Sequence, residues 1–250
     1  SNFIMASDIF TNTNQISNDK SFKDLMKWTL SGKNPKRVKI ETSDEWQSLN
    51  KDSKNYAVWI GHATYLLNSG GITILTAPLF STRASPVRFA GPKRLIPPAM
   101  SLKELPRIDV ITVSHNHYDH LDILSLKKLH DLNPSTIFLV PKGDKKLFIR
   151  KGIKNVEEFL WWEDIDIKGT KFTFTPVQHW SARGIRDRNK SLWGGWFIKS
   201  SERSLYHAGD TGYSQDFNVT RKKLGSPDMA MIPIGAYDPQ WFMSYSHVNP

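Results

Sequence analysis

From residue 56 onward the chain runs as short apolar stretches divided by Gly, Pro and charged positions, a pattern that predicts strands more often than helices. Residues 56–60, 64–68 and 72–76 are separated by Gly-His and Gly-Gly, which predicts an antiparallel meander. Residues 77–105, rich in Pro and Arg, predict a long loop, and loops of this length in compact domains commonly serve function. A buried strand is expected at 109–114, then a helix at 121–132 with apolar positions 121, 124, 126 and 129, and a strand at 136–140. A basic helix at 142–151 and a short strand at 156–161 precede the acidic Glu163, Asp164 and Asp166. Residues 171–177 alternate as a strand, 193–199 and 204–207 form a strand pair, 214–224 is helical and 229–233 is a strand. Strands interleaved with helices, without an internal repeat, predict a layered α/β fold with sheets inside and helices outside. Residues 1–50 are polar, with one predicted helix at 21–30, and read as an arm packed on the fold or partly mobile; residues 51–250 form the main domain.

Composition narrows this picture modestly. A chain of 250 residues, 39% of them hydrophobic, is globular and long enough for one large core. It has no cysteine, which excludes disulfides and thiolate ligands and leaves the compartment open between cytoplasm and periplasm. No apolar stretch approaches a membrane span, so the chain reads as soluble or peripheral; its first residue is Ser, which leaves a removed leader or anchor open. The net charge of +10 favours anionic partners. Lys and Arg are spread along the chain without a helix-turn-helix, zinc-finger or RNA-binding aromatic pattern. An anionic substrate or a membrane surface is therefore favoured over sequence-specific nucleic acid. Nothing here fixes the oligomeric state.

Chemistry concentrates in His115-Asn-His117-Tyr-Asp119-His120, directly after an apolar strand. Imidazole and carboxylate suit zinc and similar first-row ions, and alternation sends His115 and His117 to one side. Asp119 and His120 fall where the chain turns toward the next helix and can serve a second ion, an arrangement that activates water. A lone histidine is usually a surface or core residue, but three with an aspartate in six positions are hard to explain by packing. A structural zinc site is disfavoured because such sites commonly use Cys. Three further segments repeat the pattern of a strand followed by a metal-competent residue, at His179, at Asp210, which is set between Gly209 and Gly212, and at Asp238. The simpler readings are a loop histidine and a turn-stabilising aspartate.

These motifs resemble the metallo-β-lactamase superfamily, and the resemblance implies an αββα sandwich with metals at one edge. Trp59-Ile-Gly-His-Ala-Thr64, Ser81-Thr-Arg-Ala-Ser-Pro86, Ala90-Gly-Pro-Lys-Arg94, Leu192-Trp-Gly-Gly-Trp196, Ala208-Gly-Asp-Thr-Gly-Tyr213 and Ile234-Gly-Ala-Tyr237 make it similar to the N-acyl-phosphatidylethanolamine-hydrolysing phospholipase D family. By that resemblance His115, His117 and His179 hold one zinc, Asp119 and His120 the second, and Asp210 bridges; other divalent first-row metals are alternatives. Asp119 and Asp210 would then act in catalysis, with His247 donating a proton or binding phosphate. Two departures stand out. The family places an aspartate where this chain has Ala77, and a last metal-binding histidine beyond the point where this chain ends at Pro250. The first is expected to lower metal affinity or activity. The second implies a sandwich short of its C-terminal elements, in a fragment or a degenerate relative.

The expected function is hydrolysis of N-acyl-phosphatidylethanolamine-type phospholipids by a hydroxide shared between two ions. The alternatives are another hydrolase on the same fold, a lactonase or nucleic-acid phosphodiesterase, or a non-catalytic metal- or lipid-binding relative. Trp180, Trp193, Trp196, Tyr237, Trp241 and Phe242 fall near the ligand segments and read as core or acyl-chain contacts, and the loop 83–100 as a membrane-facing element.

Overall fold

A computed structural model describes residues 9–17, 20, 23–24, 26–27, 41–49, 55–87 and 89–250. The helix expected at 21–30 lies largely outside the described residues. After a one-turn 3-10 helix at Glu45–Ser48, the predicted meander forms as β1 (Asn55–Gly61), β2 (Thr64–Ser69) and β3 (Ile72–Thr76), paired antiparallel. The chain then crosses over through the long loop and returns as β4 (Val110–Thr112), parallel to β3. Helix α1 (Ile123–Leu132), β5 (Ile137–Pro141), α2 (Lys145–Arg150) and β6 (Val156–Phe159) complete two βαβ units and a six-stranded sheet of order β1-β2-β3-β4-β5-β6.

The second sheet has five strands in the order β11-β10-β9-β8-β7. It is built from β7 (Asp164–Ile167), β8 (Thr170–Thr175), β9 (Gly195–Lys199), β10 (Ser204–His207) and β11 (Met229–Met231), with α3 (Asp216–Leu224) crossing between β10 and β11 and α4 (Gln240–Met243) near the end. Strand β7 was not expected, because Asp164 and Asp166 read as a break. They alternate with Ile165 and Ile167 on an edge strand, where outward charges are tolerated and discourage pairing with another chain.

Alternation explains why several strands are apolar on both faces. Leu66, Ile111, Phe138 and Val140 pack outward against Leu126 and Leu129 of α1 and Phe148 of α2. Their sequence neighbours Leu67, Val110 and Leu139 point inward to meet Phe172, Phe174, Trp196 and Ile198 of the second sheet. Phe197 and Tyr206, on the far side of that sheet, pack under Phe217 and Leu224 of α3. The layers are therefore helix, sheet, sheet, helix, with three apolar seams. Within α1, Asp122 accepts from the Leu124 N–H as an N-cap. Leu124, one of the apolar positions of the predicted helix, faces solvent, and Ser125 takes the buried place beside Leu126. Ser125 is buried because its hydroxyl bonds Asp122 and accepts the Phe80 N–H, which pins the start of the long loop to the helix.

Candidate metal centre

Strands β1 and β4 run the same way in the first sheet, and β8 and β10 in the second, so their C-terminal ends emerge at one edge of the sandwich. His62 follows β1, His115 to His120 follow β4, His179 follows β8 and Asp210 follows β10. Glycine is needed where these segments meet. A Cβ at Gly209, whose φ is +65, would lie 2.5 Å from the Ser114 Cβ, and one at Gly212 would lie 2.1 Å from the Tyr245 carbonyl oxygen. The 178–179 and 210–212 segments are tied by the Gly212 N–H donating to the Gln178 carbonyl at 2.9 Å.

The six residues singled out as metal ligands converge. Nε2 of His179 lies 3.4 Å from Nδ1 of His117. Two nitrogens bound to one tetrahedral zinc at ~2.0–2.1 Å would sit ~3.3–3.4 Å apart. His115, His117 and His179 form one group able to hold an ion, His115, His120 and Asp210 a second, and His62, Asp119 and His120 a third. Asp210 Oδ2 lies 3.9 Å from Nε2 of both His115 and His179 and 3.2 Å from Nε2 of His120, which places it between the His115–His179 pair and His120. Buried Nε2 of His115 has no hydrogen-bond partner, so a cation fits where no protein atom does. Hydrogen bonds behind the rings set their orientation, as in other metal sites. His115 Nδ1 meets the Ser114 hydroxyl at 3.0 Å, and His179 Nδ1 donates to the Ser246 carbonyl at 3.2 Å, which leaves the His179 Nε2 as the free lone pair.

Electrostatics divides the histidines into two kinds. Burial holds His115 and His179 well below the ordinary imidazole value and brings His117 down to about 4, against the pull of Asp119 and Asp210. His120 is buried as well, but Asp210 and then Asp119 outweigh the burial and raise it to about 9. Burial would raise both carboxyls, yet His120 holds Asp210 and Asp119 below the usual carboxylate range. Without metal, one imidazolium thus sits between two carboxylates, beside three neutral imidazoles.

The non-ligand positions of the motif brace the turn. Asn116 donates to buried Asp144 at 3.1 Å, and Tyr118 donates to the Arg183 carbonyl at 2.8 Å. The Arg183 guanidinium lies 4.1 Å from the Tyr118 ring centre and donates to the carbonyls of Asn116 and Leu121 at 2.9 and 2.7 Å. Burial pushes the Asp144 carboxyl up to about 7. Sequence reading placed His62 in the Trp59–Thr64 motif without a role, yet its Nε2 lies 2.9 Å from Asp119 Oδ2. Its signal was present, since it follows a strand like the other candidates. His247 is half-buried, with its ring 5.7 Å from that of His179, and belongs to none of the three groups. Ala77 is fully buried at φ +36, a backbone region that Asp and Asn enter more readily than Ala. Trp193 and Trp196 are core residues whose indole N–H groups bond the carbonyls of Val177 and Val113, while Trp180 meets His117 edge to face with ring centres 4.3 Å apart.

Sandwich and site together define a metal-dependent hydrolase. The sequence profile of the beta-lactamase superfamily domain matches residues 73–250. The chain is 42% identical over 219 residues to N-acyl-phosphatidylethanolamine-hydrolyzing phospholipase D 1 of Caenorhabditis elegans, covering 84% of this chain and 61% of that protein. It is 38% identical over 202 residues to the mitochondrial N-acyl-phosphatidylethanolamine-hydrolyzing phospholipase D of Saccharomyces cerevisiae, covering 78% of this chain and 43% of that protein. The chain therefore spans less than two thirds of the length of either relative. More distant relatives carry only the name metal-dependent hydrolase, one from Caldivirga maquilingensis being 30% identical over 73% of this chain and 70% of its own. A possible metal-dependent hydrolase from Veillonella parvula shares the fold, with a TM-score of 0.60 and 18% identity over 73% of this chain and 72% of that one. The chain belongs to the metallo-β-lactamase superfamily, in a branch like the N-acyl-phosphatidylethanolamine-hydrolysing phospholipases D.

A pH dependence follows from His120. Coordination needs its neutral ring, whereas the metal-free centre holds it protonated up to about pH 9. Uptake of a first-row divalent ion at neutral pH should therefore release a proton, and affinity should rise up to about tenfold per pH unit below that value. Calorimetry in buffers of different ionisation enthalpy reads the proton directly. Binding without proton release, and with flat affinity across the range, would contradict the assignment.

Proposed function

We propose that this chain is a divalent-metal phosphodiesterase that cleaves N-acyl-phosphatidylethanolamine-type phospholipids on the ethanolamine side of phosphorus. The observation that carries the reading is a groove of ≈ 630 Å³ that contains His117 and Asp119 and is otherwise walled mainly by Trp59, Leu79, Leu95, Ile96 and Trp180. An apolar channel ending at hydrolytic side chains suits a lipid better than a polar metabolite. Two cations line it, with unequal freedom. Arg94 donates to the carbonyls of Leu79 and Ile96 at 2.6 and 3.1 Å and so braces the loop. Lys93 makes no side-chain hydrogen bond or ion pair among the described residues, and its ammonium is free to meet a phosphodiester.

His115, His117 and His179 would hold one ion, Asp119 and His120 another, and Asp210 would touch both. When bound, the ions supply water activated at neutral pH and neutralise charge developing on phosphorus. Asp119, ionised and facing the groove, orients the attacking water and takes its proton. The water oxygen bonds to phosphorus as the bond from phosphorus to the ethanolamine oxygen breaks. His247 gives a proton to that departing oxygen, and the products are phosphatidic acid and an N-acylethanolamine.

The loops that wall the groove also suit a phospholipid surface. Phe89, Leu95 and Ile185 are exposed at 84%, 72% and 101%, in segments that also carry Arg83, Lys93, Arg186 and Arg188. Exposed apolar tips among cations dock on anionic bilayers. No helix among the described residues is long and apolar enough to cross a membrane.

Metal-reconstituted protein mixed with N-acyl-phosphatidylethanolamine vesicles should release phosphatidic acid, and Asp210→Asn should abolish that release. Turnover of a lactone or RNA with no phosphatidic acid would assign the site to another hydrolase, and metal uptake with no hydrolysis of any of these to a binding protein. Leu95→Asp should raise KM on vesicles by about tenfold, the scale of removing one buried leucine from an apolar contact, while a short-chain soluble diester turns over unchanged. Equal loss on both substrates would place Leu95 outside lipid contact.

A further inference from the structure

His179 stands in an irregular segment after β8, where no strand supplies partners for its backbone. Among the described residues no backbone–backbone hydrogen bond involves its N–H or its C=O. The residue is buried, so each of these groups would be costly to leave unpaired. A side chain from far upstream fills the role. Asn12 Oδ1 accepts the His179 N–H at 3.1 Å, and Asn12 Nδ2 donates to the His179 carbonyl at 3.2 Å.

The same amide reaches beyond His179. Its Oδ1 also accepts the Trp193 indole N–H at 3.0 Å, and its Nδ2 donates to the Ile16 carbonyl at 3.0 Å and contacts the Tyr245 hydroxyl. Tyr245 precedes Ser246, whose carbonyl receives the His179 Nδ1 proton. Asn12 therefore fixes the backbone of His179 from both sides and joins the segment that fixes its ring. A side-chain amide presents donor and acceptor side by side in this way without any change of protonation. At 2% exposure the side chain is enclosed, and it lies upstream of the residues 73–250 that the superfamily profile matches.

We propose that Asn12 is a positioning residue of the metal centre, clamping both peptide groups of His179 so that its Nε2 meets His117 Nδ1 at the spacing one ion requires. The inference rests on the reading of His115, His117 and His179 as the ligands of one ion. Neighbouring residues dock the same segment without touching His179. Thr13 Oγ1 donates to Asp216 Oδ1 at 2.6 Å, and Asn14 Nδ2 donates to Gln178 Oε1 at 2.8 Å. A positioning role can thus be separated from simple docking of the segment.

The test is Co²⁺ titration of the metal-free full chain, followed by its visible spectrum and by competition with a chelator, for wild type, Asn12→Ala and Thr13→Val. Asn12→Ala should weaken the ion at His179 by about 10–100-fold and change the cobalt spectrum, whereas Thr13→Val should leave both as in wild type. Unfolding of the metal-free variants is measured in parallel, so a change in metal binding is not mistaken for lost fold. Should Asn12→Ala not fold, the isosteric Asn12→Asp keeps the acceptor, loses the donor, and should weaken the same ion by roughly tenfold. A wild type that takes up no cobalt would refute the ligand reading. A wild type that binds it, with Asn12 variants binding equally well, or with Thr13→Val weakened as much as Asn12→Ala, would refute the role of Asn12 alone.

Discussion

The protein depends on gathering side chains that ordinary packing keeps apart. Three neutral imidazoles and one imidazolium crowd around Asp210 at an edge where two sheets meet, and a buried nitrogen such as His115 Nε2 has no protein partner. An unpartnered buried polar group costs about 1–3 kcal/mol, which a cation shared among the rings removes. The two sheets hold these groups against one another, because every candidate ligand lies in a segment that leaves the C-terminal end of β4, β8 or β10. Gly209 and Gly212 let the segments close in, Ser114 and Ser246 meet the rings that face the gap, and Asn12 holds the backbone of His179.

Much of this was legible in the sequence, and for a physical reason. A strand followed at once by His115 to His120 has a fixed direction, so ligand type and placement can be read together from local order. The meander and the helix at α1 followed from apolar runs and their lengths, while the parallel pairing of β3 to β6 became visible only in the structure. Local order also misled in places. Leu124 belongs to an apolar pattern but faces out, because Ser125 is held inside by Asp122. The β7 strand was hidden by its edge position, where alternating aspartates resemble a loop.

The parts of the site that escaped sequence reading are those defined by contacts across long stretches of chain. Asn12 meets a residue 167 positions away, and Arg183 meets Asn116 across 67. Neither carries a local signature, since an asparagine in a polar arm and an arginine in a basic loop are ordinary at the surface. His62 did carry one, and its approach to Asp119 makes it part of the same electrostatic unit. The groove is likewise a product of tertiary structure, formed where the loop after β3, the turn after β1 and the segment after His179 come together. Its apolar wall, with a Lys93 that is unpaired among the described residues, is what supports the proposed lipid phosphodiester substrate.

Anomalous diffraction from crystals grown with zinc tests the central claim most directly. The account predicts two anomalous peaks about 3.5–4 Å apart, one against His115, His117 and His179, the other against Asp119 and His120, with Asp210 reaching both. A single ion bound elsewhere, or no ion with the imidazoles still gathered, would contradict it.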